Sequence, residues 1–218
     1  MCNKMIEDNV HFNKRGFVIG GGESIKKMIA NGLDTGKLIT NEITVGTNKS
    51  YELGRSTYHV AMDIDYFRDD KENLLKQNLY VSDNIRNGYP DDKAIKTIKK
   101  LSRTPKIISK SFNDGLYYGR STGYLAMNLA HVLGCNPIYL LGIDLVGLHF
   151  HKGYGAEKDQ RLPREHKVIE QELRAGIKYL QDLGTVVISL SNISKLNDII
   201  PYDPSILKLY GYIEEVVE

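Results

Sequence analysis

The stretch from Arg120 to Asp144, RSTGYLAMNLAHVLGCNPIYLLGID, limits the possible folds more than any other part of the chain. Leu125, Leu129 and Leu133, with Ala126 and Ala130, recur at helical spacing and make one small-and-leucine face suited to lying on a sheet. Gly134 ends that helix, Cys135-Asn136-Pro137 turns the chain, and Ile138 to Ile143 is a nearly unbroken apolar run. Such a run belongs to a strand covered on both faces, as in a parallel sheet between helix layers. Asp144 then falls at the strand's C-terminal end, where open α/β sheets place their ligands. At the start of the helix, Ser121 and Thr122 can cap exposed amides, and Gly123 removes the side chain that would hold a ligand away from that backbone.

Similar units recur on both sides. Gly16 to Ile19 reads as a first buried strand, followed by Gly20, Gly21, Gly22, Glu23 and Ser24 and a short helix from Ile25 to Ala30. Three glycines let the backbone approach a ligand, and the helix start adds the positive end of a dipole, so phosphate is the natural guest; a tight turn that merely packs helix on strand is the competing reading. Ile43 to Thr47 reads as a second strand ending at Asn48, whose amide can bond a ligand at the sheet edge or cap its own turn. Thr57 to Met62 is a third strand; Leu79 to Val81 and Ile107-Ile108 are short ones around a helix expected over Asp92 to Leu101. Glu165 to Leu183 is a long helix with Ile169, Leu173, Ile177 and Leu180 on one side. Thr185 to Leu190 is a further covered strand, with Ser191, Asn192 and Ser194 at its end. Asp203-Pro204-Ser205 opens a last helix whose apolar face, Ile206, Leu209, Tyr210, Ile213 and Val217, suits docking on the body or on a second copy.

Two clusters carry candidate chemistry. His149 and His151, with Lys152 and Tyr154, lie in a glycine-rich loop just past Asp144. Imidazole titrates near neutrality and can take a proton from an attacking hydroxyl, while a lysine and a tyrosine suit a negatively charged leaving group. A His-x-His zinc site would need distant carboxylates, since no cysteine lies nearby in the sequence. Asp63 and Asp65, one residue apart at a strand end, have a spacing that holds Mg²⁺ against a diphosphate; the simpler reading is that they cap the next segment, the charged and exposed run Tyr66 to Lys76. Arg161 to Arg164 reads as a solvated connector or as a lid over an anion. His11, His59, His131 and His166 have no comparable neighbours and read as ordinary residues.

A chain of 218 residues suffices for one large α/β domain and hardly for two. Lysine and arginine number 29 against 27 acidic residues, which gives no global electrostatic case for nucleic acid or an anionic membrane as partner. Cys2 and Cys135 cannot make a disulfide framework, the charged opening MCNKMIEDNV does not suit a signal peptide, and no apolar run approaches a membrane span. A reducing cytoplasm is the expected setting.

Taken in order, the glycine turn with its serine, the strand ending at Asn48, Thr122-Gly123 at the central helix and the strand closing in Gly142-Ile143-Asp144 resemble two related groups. One is the bacterial sialyltransferases, whose cytidine-nucleotide site uses a G-x-G-x-S turn, an asparagine after the second strand and a Ser/Thr-Gly helix start before a strand ending in G-I-D. The other is the MptE-like family, named for an archaeal 6-hydroxymethylpterin pyrophosphokinase. The likeness runs from Phe17 to Tyr202 and takes in Ser189 to Leu196 and Pro201, which look like the closing strand and loop of the MptE-like family.

The sialyltransferase resemblance implies a transferase that uses a nucleotide-sugar donor. It sets Gly20, Gly22, Ser24 and Asn48 near the nucleotide and Thr122 and Gly123 at its ribose or phosphates. Gly21, Ser121 and Asp144 adjoin these positions and complete the expected nucleotide-binding set. Tyr154 is the candidate for holding phosphate, and His149 or His151 for the base. The pyrophosphokinase resemblance instead implies Mg²⁺ on Asp63 and Asp65, but Arg120-Ser121-Thr122-Gly123 stands where that enzyme has an acidic D-G-D-type segment, which leaves the metal cluster incomplete. A nucleotide- or sugar-binding protein without turnover is the third possibility. The expected fold is a single Rossmann-like α/β domain over 1–218, with a mostly parallel sheet covered by helices on both faces, a core over 16–202 and a C-terminal helix over 203–218 that offers a route to a homo-oligomer.

Overall fold

The computed structural model describes residues 6–99, 108–146, 149–150 and 163–214, and within them seven strands pair in parallel into one sheet. They are β1 (Gly16–Ile19), β2 (Ile43–Thr47), β3 (Tyr58–Ala61), β4 (Leu79–Ser82), β5 (Lys96–Ile98), β6 (Ile138–Leu141) and β7 (Val187–Ser189). Their order across the sheet is β5-β4-β3-β2-β1-β6-β7. β1 therefore lies between β2, which follows it, and β6, which comes much later in the chain. Ile19 is level with both Gly46 and Leu141, so the ends of these three strands form one rim at the point where the winding reverses.

Strand alternation sends side chains to two faces, and each face has its own helices. Phe17 and Ile19 pack with Ile25 and Met28 of α1 (Ser24–Ala30) and with Leu38 and Ile39 of α2 (Thr35–Asn41). Farther along the same side, Ala61, Leu79 and Val81 pack with Tyr66 and Phe67 of α3 (Ile64–Asp69), Leu74 of α4 (Lys71–Leu74) and Ile85 of α5 (Asp83–Gly88). The opposite face, including Val18, Val45, Val60, Leu140 and Val187, is covered by α6 (Thr122–Val132) and α7 (Pro163–Asp182). α6 is apolar on nearly every side and runs down the middle, with Leu125, Leu129 and Ala130 buried; α7 is amphipathic and buries Ile169, Leu173, Ile177 and Leu180. The lower end of α6 is stitched to the segment before β1: the amides of Asn9, His11 and Asn13 donate to the carbonyls of Val132, Leu133 and Gly134 at 2.9, 2.8 and 2.9 Å. These bonds satisfy carbonyls that a helix end leaves without partners. Nearby, Glu42 receives both Arg15 and the hydroxyl of Tyr210, which fixes the C-terminal segment under β1 and β2.

Four local expectations change. No helix covers Asp92 to the end of the described stretch at Lys99; β5 occupies Lys96–Ile98, with Ile95 and Ile98 buried. The Asp92 carboxylate accepts from the Ala94 amide at 3.2 Å and pairs with Lys71 at 3.1 Å, and the chain then enters β5. Ile107 lies outside the described residues, and Ile108 is buried without belonging to a strand. Tyr66 to Lys76 is not an exposed run, since Tyr66, Phe67 and Leu74 plug the lower part of the α3–α5 face. The helix expected over 203–218 is a 3₁₀ helix at Ser205–Tyr210 ended by Gly211 in the left-handed region (φ 86°). Tyr210 of the expected apolar face packs on the body, with Ile206 against it and Leu207 beside it, while Leu209 and Ile213 are exposed; 215–218 lie outside the described residues. Among the described residues no helix is long and apolar enough to cross a membrane, and Cys135 is buried as a small apolar residue.

Candidate functional site

Above the reversal point, the glycine turn and the end of β6 are built against each other. The Gly20 amide donates to Leu141 O and the Gly22 amide to Gly142 O, both at 2.8 Å, so the turn continues the sheet's ladder past the strands. A Cβ at Gly22 would lie 2.3 Å from Oδ2 of Asp144 and 2.7 Å from Gly142 O, which is why that position has no side chain. Asp144 is 2% exposed and accepts from the Ser24 amide and the Ser24 hydroxyl, each at 2.8 Å. It thus anchors the start of α1 with a charge-assisted pair of bonds. Ser194 Oγ donates to Ile143 O at 2.8 Å and the Lys195 amide to Asp144 O at 3.1 Å, which brings the loop after β7 to the same rim.

The chain then returns over the turn. The Phe150 amide donates to Gly21 O at 2.9 Å, His149 bridges Gly22 antiparallel, and Nδ1 of His149 lies 3.2 Å from Gly21 O. A carbonyl only accepts, so this bond requires the proton on Nδ1 and leaves the basic lone pair of the imidazole on Nε2.

Two more elements reach this rim. Ile143 touches both neighbouring glycines: Cβ atoms built at Gly20 and Gly123 would lie 2.5 and 3.1 Å from its Cδ1. The start of α6 is therefore beside the glycine turn, with Ser121 Oγ accepting from the Gly123 amide at 3.1 Å as its cap. Glu172 of α7 holds the approach to that helix by accepting from the Arg120 amide at 2.6 Å, with the Arg120 side chain at 3.6 Å. On the other side, Thr47 Oγ1 donates to Ile19 O at 3.0 Å, so Asn48 follows directly at the top of β2. Asn48 has φ 46°, a left-handed conformation that asparagine tolerates better than most residues, and opens a 3₁₀ helix, Asn48–Leu53.

Gly20, Gly21, Gly22, Ser24, Asn48, Ser121, Thr122, Gly123, Asp144 and His149 are thus gathered along one edge. Asp63 and Asp65 are not among them. They follow β3, two strands from β1 and so roughly 10 Å along the sheet. Asp63 caps α3 by accepting from the Tyr66 amide at 3.0 Å, and Asp65 pairs with Arg68 at 3.0 Å with its side chain more than half exposed. Among the described residues no three histidine, cysteine or carboxylate side chains gather as a metal ion requires. His151, Tyr154 and Arg161 lie outside the described residues; Arg164 is in the first turn of α7. An open groove of about 740 Å³, lined by Lys71, Tyr89, Asp92 and Lys93 among others, lies by the β5 edge and contains none of the expected site residues.

Sequence reasoning missed three contributors. His59 has a signal in hindsight, a polar residue inside the apolar strand YHVA. Glu172 looks like any helix-surface acid, and the Phe150–Gly21 bond is made by backbone, which no residue type announces.

No protein-family model matches the sequence, and no curated protein does. The fold itself is that of glycosyltransferase structures. The sialyltransferase CstII from Campylobacter jejuni, a protein solved with CMP and a trisaccharide acceptor, is 15% identical with a TM-score of 0.57, covering 92% of this chain and 89% of that one. The monofunctional α-2,3-sialyltransferase Cst-I of the same organism is 17% identical with a TM-score of 0.57, covering 93% of this chain and 84% of its own. The MAf glycosyltransferase of Magnetospirillum magneticum AMB-1 is 12% identical with a TM-score of 0.54; the match covers 87% of this chain and 34% of that larger one. At these identities the likeness is one of fold.

Proposed function

We propose that the protein is a nucleotide-sugar-dependent glycosyltransferase of the sialyltransferase type. The observation that carries this reading is the convergence of the glycine turn, the start of α6 and His149 on one rim where β1 and β6 part. The positive dipole end at the start of α6 and the side-chain-free flank of the glycine turn suit the donor phosphate, whose charge grows as the glycosyl bond breaks. Nε2 of His149 takes the proton of the acceptor hydroxyl as the acceptor oxygen bonds to the anomeric carbon and the nucleotide leaves with the bonding pair. Tyr154 is assigned to the departing phosphate. Asp144 is a scaffold in this reading, because both of its oxygens are engaged by Ser24. The solved relatives by fold that carry CMP favour a cytidine nucleotide as the donor's leaving group.

The MptE-like reading, Mg²⁺-dependent pyrophosphoryl transfer, would place the metal on Asp63 and Asp65, each of which now uses one oxygen, in the α3 cap and in the pair with Arg68. Calorimetric titration with CMP, UMP and ATP, with and without Mg²⁺, separates the two. Metal-independent CMP binding is expected, together with donor hydrolysis lost in His149→Ala. Binding of ATP alone, and only with Mg²⁺, overturns the proposal.

A further inference from the structure

β3 carries an imidazole that the proposed chemistry does not use. His59 is fully buried, and its Nε2 lies 2.8 Å from the backbone carbonyl of Asn48. The carbonyl only accepts, so Nε2 holds the proton and Nδ1 the lone pair. Among the described residues Nδ1 has no hydrogen-bond partner, nor has the buried Oγ of Ser56. Both face the flank of Gly46: a Cβ there would lie 2.3 Å from Ser56 Oγ, 2.7 Å from Ser50 Oγ and 2.8 Å from His59 Nδ1. Residue 46 has no side chain because this polar chamber occupies the space beside the strand. Ser50 in turn accepts from the Thr47 amide at 2.8 Å, which completes a capping box with Thr47 at the start of the 3₁₀ helix. The ring of Tyr51 lies tilted beside the imidazole, its centroid 6.3 Å from that of His59.

A core built only for stability has no reason for this arrangement. A buried nitrogen without a partner is costly, and so is a non-glycine residue in the left-handed region; here both costs fall on adjoining groups. They meet at the one place in β2 where the strand opens onto the rim. Burial pushes the His59 pKa down to about 4, so the imidazole stays neutral near neutral pH and the bond to Asn48 persists.

We propose that His59 is a positioning residue that, through Nε2–H, grips the Asn48 carbonyl and holds Asn48 in the turn that presents it to the nucleotide. The part about the nucleotide rests on the function proposed above; the part about the turn does not.

The test combines NMR of the full chain with CMP titration of the wild type, His59→Gln and His59→Leu. Glutamine can donate its amide proton to the same carbonyl; leucine fills the space and donates nothing. Nitrogen-15 spectra of the wild type should show His59 protonated at Nε2, and the three-bond amide coupling of Asn48 should keep its left-handed value in His59→Gln and lose it in His59→Leu. CMP affinity should fall at least about tenfold in His59→Leu and be largely restored in His59→Gln. An Nδ1-protonated tautomer, or an Asn48 coupling unchanged in His59→Leu, overturns the positioning role. If the wild type does not bind CMP, the nucleotide reading fails while the tautomer and the coupling still decide the role of His59. Should His59→Leu not fold, the wild-type tautomer and the coupling in His59→Gln decide it.

Discussion

Asp144 and Ser24, 120 residues apart in the sequence, are joined by two hydrogen bonds of 2.8 Å, one to the serine amide and one to its hydroxyl. The pair clamps the glycine turn to the end of β6, so the geometry of the rim depends on a carboxylate that no ligand needs to touch.

Replacing Asp144 by Asn leaves one acceptor oxygen for two buried donors and sets an amide NH₂ against one of them. The expected loss is about 1–3 kcal/mol in urea unfolding, as for other buried donors left without partners. Ser24→Ala removes only the hydroxyl and should cost less. A double-mutant cycle should return a coupling of about 1 kcal/mol or more, and strictly additive losses would show that the two residues do not act as a unit.

Glu172 reaches from α7 to the Arg120 amide, just ahead of the cap of α6. Since the Arg120 side chain is half exposed, its ion pair with Glu172 contributes little, and the backbone bond carries the effect. Glu172→Gln, which keeps an acceptor for that amide, should be nearly silent. Glu172→Ala should cost about 1–2 kcal/mol and speed hydrogen exchange at the amides from Arg120 to Gly123. Equal exchange in the two variants would count against this division of labour.

Burial lowers the pKa of His59 to about 4 and also lowers those of His131 and His11. An unfolded chain binds these protons near the ordinary imidazole value of 6.5, while the folded chain resists them. Between those values the unfolded state holds more protons, so stability rises with pH through that window, is fully present above it and is lost as pH falls towards 4. For His59 alone the loss amounts to as much as about 3 kcal/mol. Urea midpoints measured from pH 7 down to 4.5 should fall, and His59→Gln should flatten the curve. An unchanged slope in that variant would move the effect to other groups.

The parts of the fold that were legible in the sequence are those where one layer of interactions decides. β1 and β2 match the apolar runs read at Gly16–Ile19 and Ile43–Thr47, because a strand buried on both faces leaves an unbroken apolar signature. α6 and α7 were visible through their spacing and through the glycines that end them. β5 was not, since an edge strand of three residues has one buried face and the aspartates and lysines that flank it imitate helix ends. The C-terminal helix failed for another reason: of the apolar repeat, Tyr210 is buried while Leu209 and Ile213 are exposed, because a 3₁₀ turn stopped at Gly211 turns Leu207, which lies outside the repeat, into the core instead. At the rim, glycines and capping residues could be read locally, whereas His59, Glu172 and the Phe150 amide act through partners far away in the chain.

The place of β1 between β2 and β6 has a bearing on biosynthesis. A ribosome releases the glycine turn with one neighbouring strand soon beside it, and delivers the second neighbour and its carboxylate only after β3, β4 and β5 have emerged. Truncated products ending before residue 138 would carry the turn without the carboxylate that sets it, and should leave the start of α1 unanchored until that group arrives.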